Sequence, residues 1–164
     1  MRLVEGNVTI TDLDSFIETL GSVAEETDTT IQAFDARFVV SRKHLERAME
    51  LADRAISRGN EIARDRAVEI LLYASGRRQI NRAFEMGVGE GERSVVILVD
   101  GDDENEAERT LFERLDIEAD DTLGYYDESL VRDFFDIGDE ELTLVDRDLE
   151  SLVIERVALL TVDR

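Results

Sequence analysis

The run Ser94 to Asp100, SVVILVD, limits the possible folds more than any other stretch of this sequence. An uninterrupted apolar segment of strand length predicts a central strand buried on both faces. Three further segments are candidate strands. Leu3 to Ile10 alternates, with Gly6 as an expected bend. Thr29 to Val40 is rich in β-branched and aromatic residues and reads as a strand or a hairpin, and Val157 to Val162 reads as a closing strand.

Helical patterns occupy the rest. Asp12 or Asp14 caps a helix carrying Phe16, Ile17 and Leu20, which Gly21 is expected to end. Ser41 is a good N-cap for the clearest helix, with Leu45, Ala48, Met49, Ala52, Ala55 and Ile56 on one face and Gly59 at its end. Glu61 to Ala74 and Arg78 to Met86 follow as second and third helices of this middle run. Asn105 to Leu115, a helix capped by Asp127, and Leu149 to Arg156 complete the set. Helices bunched in runs between few strands fit an α+β layer better than strict alternation. The 164 residues are expected to form one domain, since no linker or repeat divides them.

The middle run contains the chemically distinctive segment, Glu69 to Ile80, EILLYASGRRQI. An apolar helix changes abruptly there into Ser75, Gly76, Arg77, Arg78 and Gln79. Gly76 is suited to the left-handed residue that closes a helix. A corner with two guanidinium groups and exposed backbone N–H groups suits a phosphate or a nucleotide. The charge map points to the same region. Residues 41–84 hold ten basic and six acidic side chains, while the whole chain carries a net charge of −21. Pairs such as Glu50 with Arg54 account for some of these arginines. Arg77 and Arg78 have no acidic residue within four positions, and Arg82 has only Glu85.

Read with IQAFDARFVVSRKHLERA (31–48), the block EILLYASGRRQINRAF (69–84) resembles the small kinase-binding subunit of the KEOPS complex, the PRPK-binding protein family. The resemblance is strongest over residues 31–88, with a weaker echo, LESLVIERVALLTV, at 149–162. Its most specific pieces are the Lys43-His44 pair and the Ser-Gly-x-Arg-Gln-Ile pattern at Ser75 to Ile80, in which Arg77 falls at a variable place. Residues 100–148 match poorly. The resemblance implies helices packed in two layers on a small mixed sheet. It also implies a non-catalytic regulatory subunit that binds the kinase-like ATPase of KEOPS, the assembly that makes N6-threonylcarbamoyladenosine in tRNA, and that holds the tRNA 3′ CCA end. The residues expected to contact tRNA are Lys43, His44, Ser75, Gly76, Arg77, Arg78, Gln79 and Ile80. For the kinase, a helical wheel of Glu61 to Ala74 leaves Val68 and Leu72 as an apolar pair opposite the main apolar arc. Cover comes either from a protein partner or from another helix of this chain. The alternative from another class is a stand-alone domain that binds a nucleotide or an acidic metabolite at the same corner.

Other motifs carry less. Gly87-Val-Gly-Glu-Gly91 follows a helix and leads into a strand, the reverse of a phosphate loop. Asp100, Asp102 and Glu104 have the spacing of a calcium loop, but Asn105 and Leu111 stand where its glycine and glutamate belong. His44 is the only histidine and there is no cysteine, which excludes thiolate metal sites and a thiol nucleophile. We therefore expect neither an enzyme nor a resident cofactor or metal.

The basic residues are 18 arginines and one lysine, there is no proline, and acidic residues number 40. Acidic excess with almost no lysine resembles proteins of salt-loving cells, including those of haloarchaea. No stretch reaches the ~20 apolar residues of a membrane span, and the first residues lack the apolar core of a signal peptide. A soluble cytoplasmic protein is the expectation. A charge of −21 self-repels in dilute buffer, whereas in molar salt the Debye length falls to about 3 Å and screens it. The isolated protein is predicted to lose structure on desalting. Circular dichroism showing an unchanged fold at millimolar salt would remove that idea.

Overall fold

The apolar run forms the middle of strand β3 (Gly91–Gly101), in which Val95 to Val99 are completely buried. Strand β1 (Arg2–Ile10) pairs along one side of it and β2 (Thr29–Asp35) along the other, both antiparallel. A two-residue β4 (Glu118–Ala119) pairs antiparallel with β1, giving the order β2-β3-β1-β4. The structure is a computed structural model that describes residues 1–144 and 148–162. The chain divides into two compact units, Met1–Ala36 with Gly87–Thr122, and Arg37–Met86 with Leu123–Arg164.

The α+β class is as expected, but every ladder is antiparallel instead of mixed. β1 and β2 run the same way because helix α1 (Leu13–Thr27) returns the chain between them. β3 occupies the place between the two, so no parallel ladder forms.

In the first unit, alternate residues of the three long strands face two helices. Val4, Val8, Ile10, Ile31, Ala33, Val95, Ile97 and Val99 pack with Phe16, Leu20 and Val23 of α1, and with Ala107 and Leu111 of α5 (Glu104–Arg114). Each of the valine, leucine, isoleucine and phenylalanine side chains contributes about 1.5–3 kcal/mol by leaving water. Asp12 caps α1 by accepting a hydrogen bond from the Ser15 N–H at 3.3 Å. The helix runs on past Gly21, because Val23 and Thr27 continue its buried stripe. It ends at Asp28, which is left-handed with φ of 53°.

Gly6 is not a bend. β1 is continuous through it, and a Cβ there would lie 2.5 Å from the Glu118 carbonyl oxygen and 2.6 Å from Ile117 Cγ2. Glycine is needed so that the short edge strand can approach.

The second unit is helical. After a 3-10 turn at Ala36–Phe38 come α2 (Arg42–Ser57), α3 (Arg66–Ser75) and α4 (Ile80–Ala83), the last running into a 3-10 turn at Phe84–Met86. Then follow α6 (Glu128–Phe134), α7 (Asp139–Leu144) and α8 (Leu149–Val162). Ser41 caps α2 as its sequence predicts, and Gly59 follows its end. α3 begins later than the periodicity indicates, because Asp65 accepts from the N–H groups of Ala67 and Val68 and fixes the start there. The loop before it is held from inside. The buried Glu69 carboxylate accepts from the N–H groups of Ile62 at 3.0 Å and Ala63 at 2.9 Å.

The expected closing strand at Val157 to Val162 is instead part of α8. Leu149, Leu152, Val153, Val157 and Leu160 are all buried, at helical and not alternating spacing. Ala158 and Leu159 add apolar side chains on the remaining faces, and these hide the period in the sequence. α2, α3 and α8 pack on one another.

Replacing Gly6 by alanine is predicted to cost roughly 1–3 kcal/mol through overpacking against the β4 backbone. Gly21→Ala, with no atom within 4 Å of the added carbon, is the matched control. Equal denaturant midpoints for the two variants would refute the packing role of Gly6.

Candidate functional site

α3 ends in a motif written by its sequence. Gly76 is left-handed with φ of 63°, its N–H donates to Tyr73 O at 3.0 Å, and the Arg77 N–H reaches back to Leu72 O at 3.1 Å. These are the two bonds that satisfy the carbonyls a helix end leaves open. Ser75 reinforces the turn. Its buried hydroxyl donates to Leu72 O at 2.9 Å and accepts from the Arg77 N–H at 3.2 Å. Gly76 also lies against α8, where an added Cβ would be 3.1 Å from Arg156 O.

Arg77 turns inward. Its guanidinium lies over the Phe134 ring, 5.0 Å from the centroid, and donates to Phe134 O. A planar cation on an aromatic face is held by the ring quadrupole as well as by the hydrogen bond. Phe134 continues an aromatic cluster, edge-on to Phe38 at 5.4 Å and to Phe135 at 5.1 Å.

His44 completes that cluster from α2. Its ring is edge-on to Phe135 at 5.8 Å. Nδ1 accepts from the Val40 N–H at 3.4 Å, so the ring proton resides on Nε2 and is donated to Ala74 O at 2.8 Å. The bond joins the first turn of α2 to the last turn of α3. Burial pushes the imidazole down to about 4, against the raising influence of the Ala74 carbonyl.

The expected contact set therefore divides. His44 and Ser75, both expected as RNA contacts, are buried and their polar atoms are used by the fold. Gly76 and Arg77 are half-buried and build the turn. Arg78, Gln79 and Ile80 lie outside, exposed, with Gln79 at the N-cap position of α4 and its side chain making no cap bond. Lys43, next to His44, is exposed as well. Arg82 pairs with Glu85 at 3.1 Å. Sequence reasoning missed Phe84, which is 55% exposed; its only signal is its spacing of four from Ile80.

The expected docking pair, Val68 and Leu72, is not an exposed apolar patch. Leu72 is fully buried, as is every residue from Glu69 to Ser75, because α3 is packed by α2, α4 and α8 and has no outer face at that level. Val68, one turn earlier, is half-buried.

A small cavity of about 150 Å³ adjoins the turn, lined by Ser75, Gly76, Arg77, Phe135, Asp136, Arg156 and Leu159. Arg156 is engaged there with Phe135 O at 3.1 Å, Asp136 O at 3.0 Å and the Glu141 carboxylate at 2.7 Å. Small-molecule sites usually measure about 300–1,000 Å³. A larger open hollow of about 720 Å³ has Asp127, Asp133 and Asp136 against one arginine, Arg132, a poor balance for an anionic ligand. Among the described residues no three His, Cys, Asp or Glu side chains are grouped to hold a metal. No described helix is long and apolar enough to cross a membrane.

Because His44 is held neutral, its contribution to stability is present in full above pH 6.5 and is lost as the pH falls from 6.5 toward 4. The unfolded state binds the proton first, and complete loss amounts to about 3 kcal/mol. In molar salt, the stability difference between the native protein and His44→Gln is predicted to shrink by that amount between pH 7 and pH 4. A pH-independent difference would exclude the linkage.

Over residues 8–161 the chain matches the family model described as kinase binding protein CGI-121. No curated protein matches it. A match that takes in both units and the turn built on Ser75 to Ile80 leaves one assignment: the chain belongs to the kinase binding protein CGI-121 family.

Proposed function

We propose that this protein is a regulatory, non-catalytic subunit of a KEOPS assembly, in which it binds the kinase-like ATPase subunit and recruits tRNA through the 3′ CCA end. Membership of a kinase-binding family carries the first part. The observation that carries the second is the outward half of the turn. Arg78, Gln79 and Ile80 are exposed in sequence, in the one region where basic side chains outnumber acidic ones.

Each exposed residue supplies something an unpaired RNA end uses. Arg78 offers a planar, permanently charged donor set, Gln79 pairs with a base edge, and Ile80 presents apolar surface to a base face. Lys43, exposed and next in sequence to His44, adds a cation. The inward residues fix the backbone from which these project. Placing them costs little at the moment of binding, since the turn is already ordered.

The acidic remainder of the surface supports work in the cytoplasm of a salt-rich cell. In such salt, plain phosphate attraction is weak, because counterion release lowers affinity steeply with ionic strength. Recognition then leans on stacking and hydrogen bonds to bases. A stand-alone nucleotide-binding domain is less well supported: the cavity beside the turn is about 150 Å³ and both its arginines are occupied.

Arg78→Glu is predicted to abolish binding of intact tRNA without releasing the kinase. tRNA trimmed of its CCA is predicted to bind the native protein as poorly as intact tRNA binds the variant. Equal affinity for trimmed and intact tRNA, measured by filter binding at high salt, would sink the 3′-end reading.

A further inference from the structure

Two large apolar side chains stand in the open on the segment after the turn. Ile80 is 41% exposed and Phe84 is 55% exposed. The Phe84 N–H donates to Ile80 O, so one helical turn separates them and both lie on the same face. The inner side of this segment is already filled, since Ala83 and Met86 are completely buried. The exposure of Phe84 is thus not a missing core contact.

The surroundings select the occupant. Arg78 and Gln79 precede the pair, and Arg82 lies between its members, joined to Glu85 at 3.1 Å. This is the basic region of a chain with net charge −21, so a phosphate-bearing partner is favoured here over an acidic protein surface. An exposed ring with guanidinium and amide groups within seven residues is the combination by which single-stranded nucleic acids are held, bases on the ring and backbone on the cations.

We infer that Phe84, backed by Ile80, is the stacking platform for a nucleobase of the unpaired 3′ end. The inference rests on the tRNA reading above and adds a residue and a contact to it. Stacking through an aromatic face resists salt, whereas phosphate contacts do not. Phe84 therefore supplies affinity that survives where Arg78 and Lys43 are screened.

The chain has no tryptophan, so Phe84→Trp introduces a single fluorophore at the platform. In molar potassium chloride its emission is quenched by intact tRNA. Shortening the tRNA one nucleotide at a time from the 3′ end abolishes quenching at the step that removes the stacked base. Phe84→Tyr keeps native affinity, whereas Phe84→Leu and Phe84→Ala lose on the order of tenfold, with unchanged melting temperatures. A leucine variant that binds like the native protein overturns the platform, because a merely apolar contact would rank leucine with phenylalanine. So does the absence of quenching by intact tRNA, or a Phe84→Ala variant that releases the kinase while holding tRNA. If Phe84→Ala binds normally and Arg78→Glu does not, the platform falls and the 3′-end reading stands. If the native protein binds intact and trimmed tRNA alike, both fall.

Discussion

The hydrogen bond from His44 Nε2 to Ala74 O sets the geometry of the helical unit. It spans two helix ends, the first turn of α2 and the last turn of α3, where backbone groups would otherwise lack partners. A buried carbonyl there needs a donor, and the ring supplies one only with its proton on Nε2. The Val40 N–H at Nδ1 enforces that tautomer. With Ala74 O held, Ser75 and Gly76 leave the helix in a fixed direction, and Arg77 reaches Phe134. The only histidine of the chain is thus a positioning residue, and its neutrality in the dry interior is the condition on which the turn depends.

The turn shows how a short sequence serves two purposes at once. Ser75, Gly76 and Arg77 spend their hydrogen-bonding capacity on the fold, through Leu72 O, Tyr73 O and Phe134 O. Arg78, Gln79 and Ile80 face solvent. A change among the first three disturbs the backbone from which the others project. Arg77 and Arg78 are adjacent and chemically identical, yet one is a structural strut over an aromatic ring and the other a surface cation.

Much of this was legible in the sequence because the controlling interactions are local. Ser41, Gly76, Asp12 and Asp127 announce helix ends through bonds spanning a few residues. β3 announces itself by continuous apolar character. What stayed hidden depends on distant partners. The burial of Leu72 comes from helices on every side of α3, although a helical wheel sets it opposite the main arc. Gly6 looks like a bend because its reason for being glycine is the Glu118 backbone, which lies far along the chain. α8 reads as half strand, since its apolar residues surround the helix and erase the period. Arg77 and Arg78 could not be separated without Phe134. Phe84 is inconspicuous in the sequence, because an apolar residue four positions from Ile80 normally faces a core.

The order of the strands has a consequence for how the chain reaches this fold. β3 is the middle of the sheet, yet it follows α2, α3 and α4 in sequence. Its rung from Asp35 to Val95 closes a loop of roughly 60 residues and that from Ile10 to Gly91 roughly 80, each with a closure entropy on the order of 4 kcal/mol if the loop is unstructured. Contacts within the helical hairpin of α2 and α3 are local and close first. A helix advances 1.5 Å per residue where an extended chain advances about 3.3 Å, so those helices draw in the segment between β2 and β3. The helical unit acts as a shortened tether for a sheet that cannot be completed until its central strand arrives.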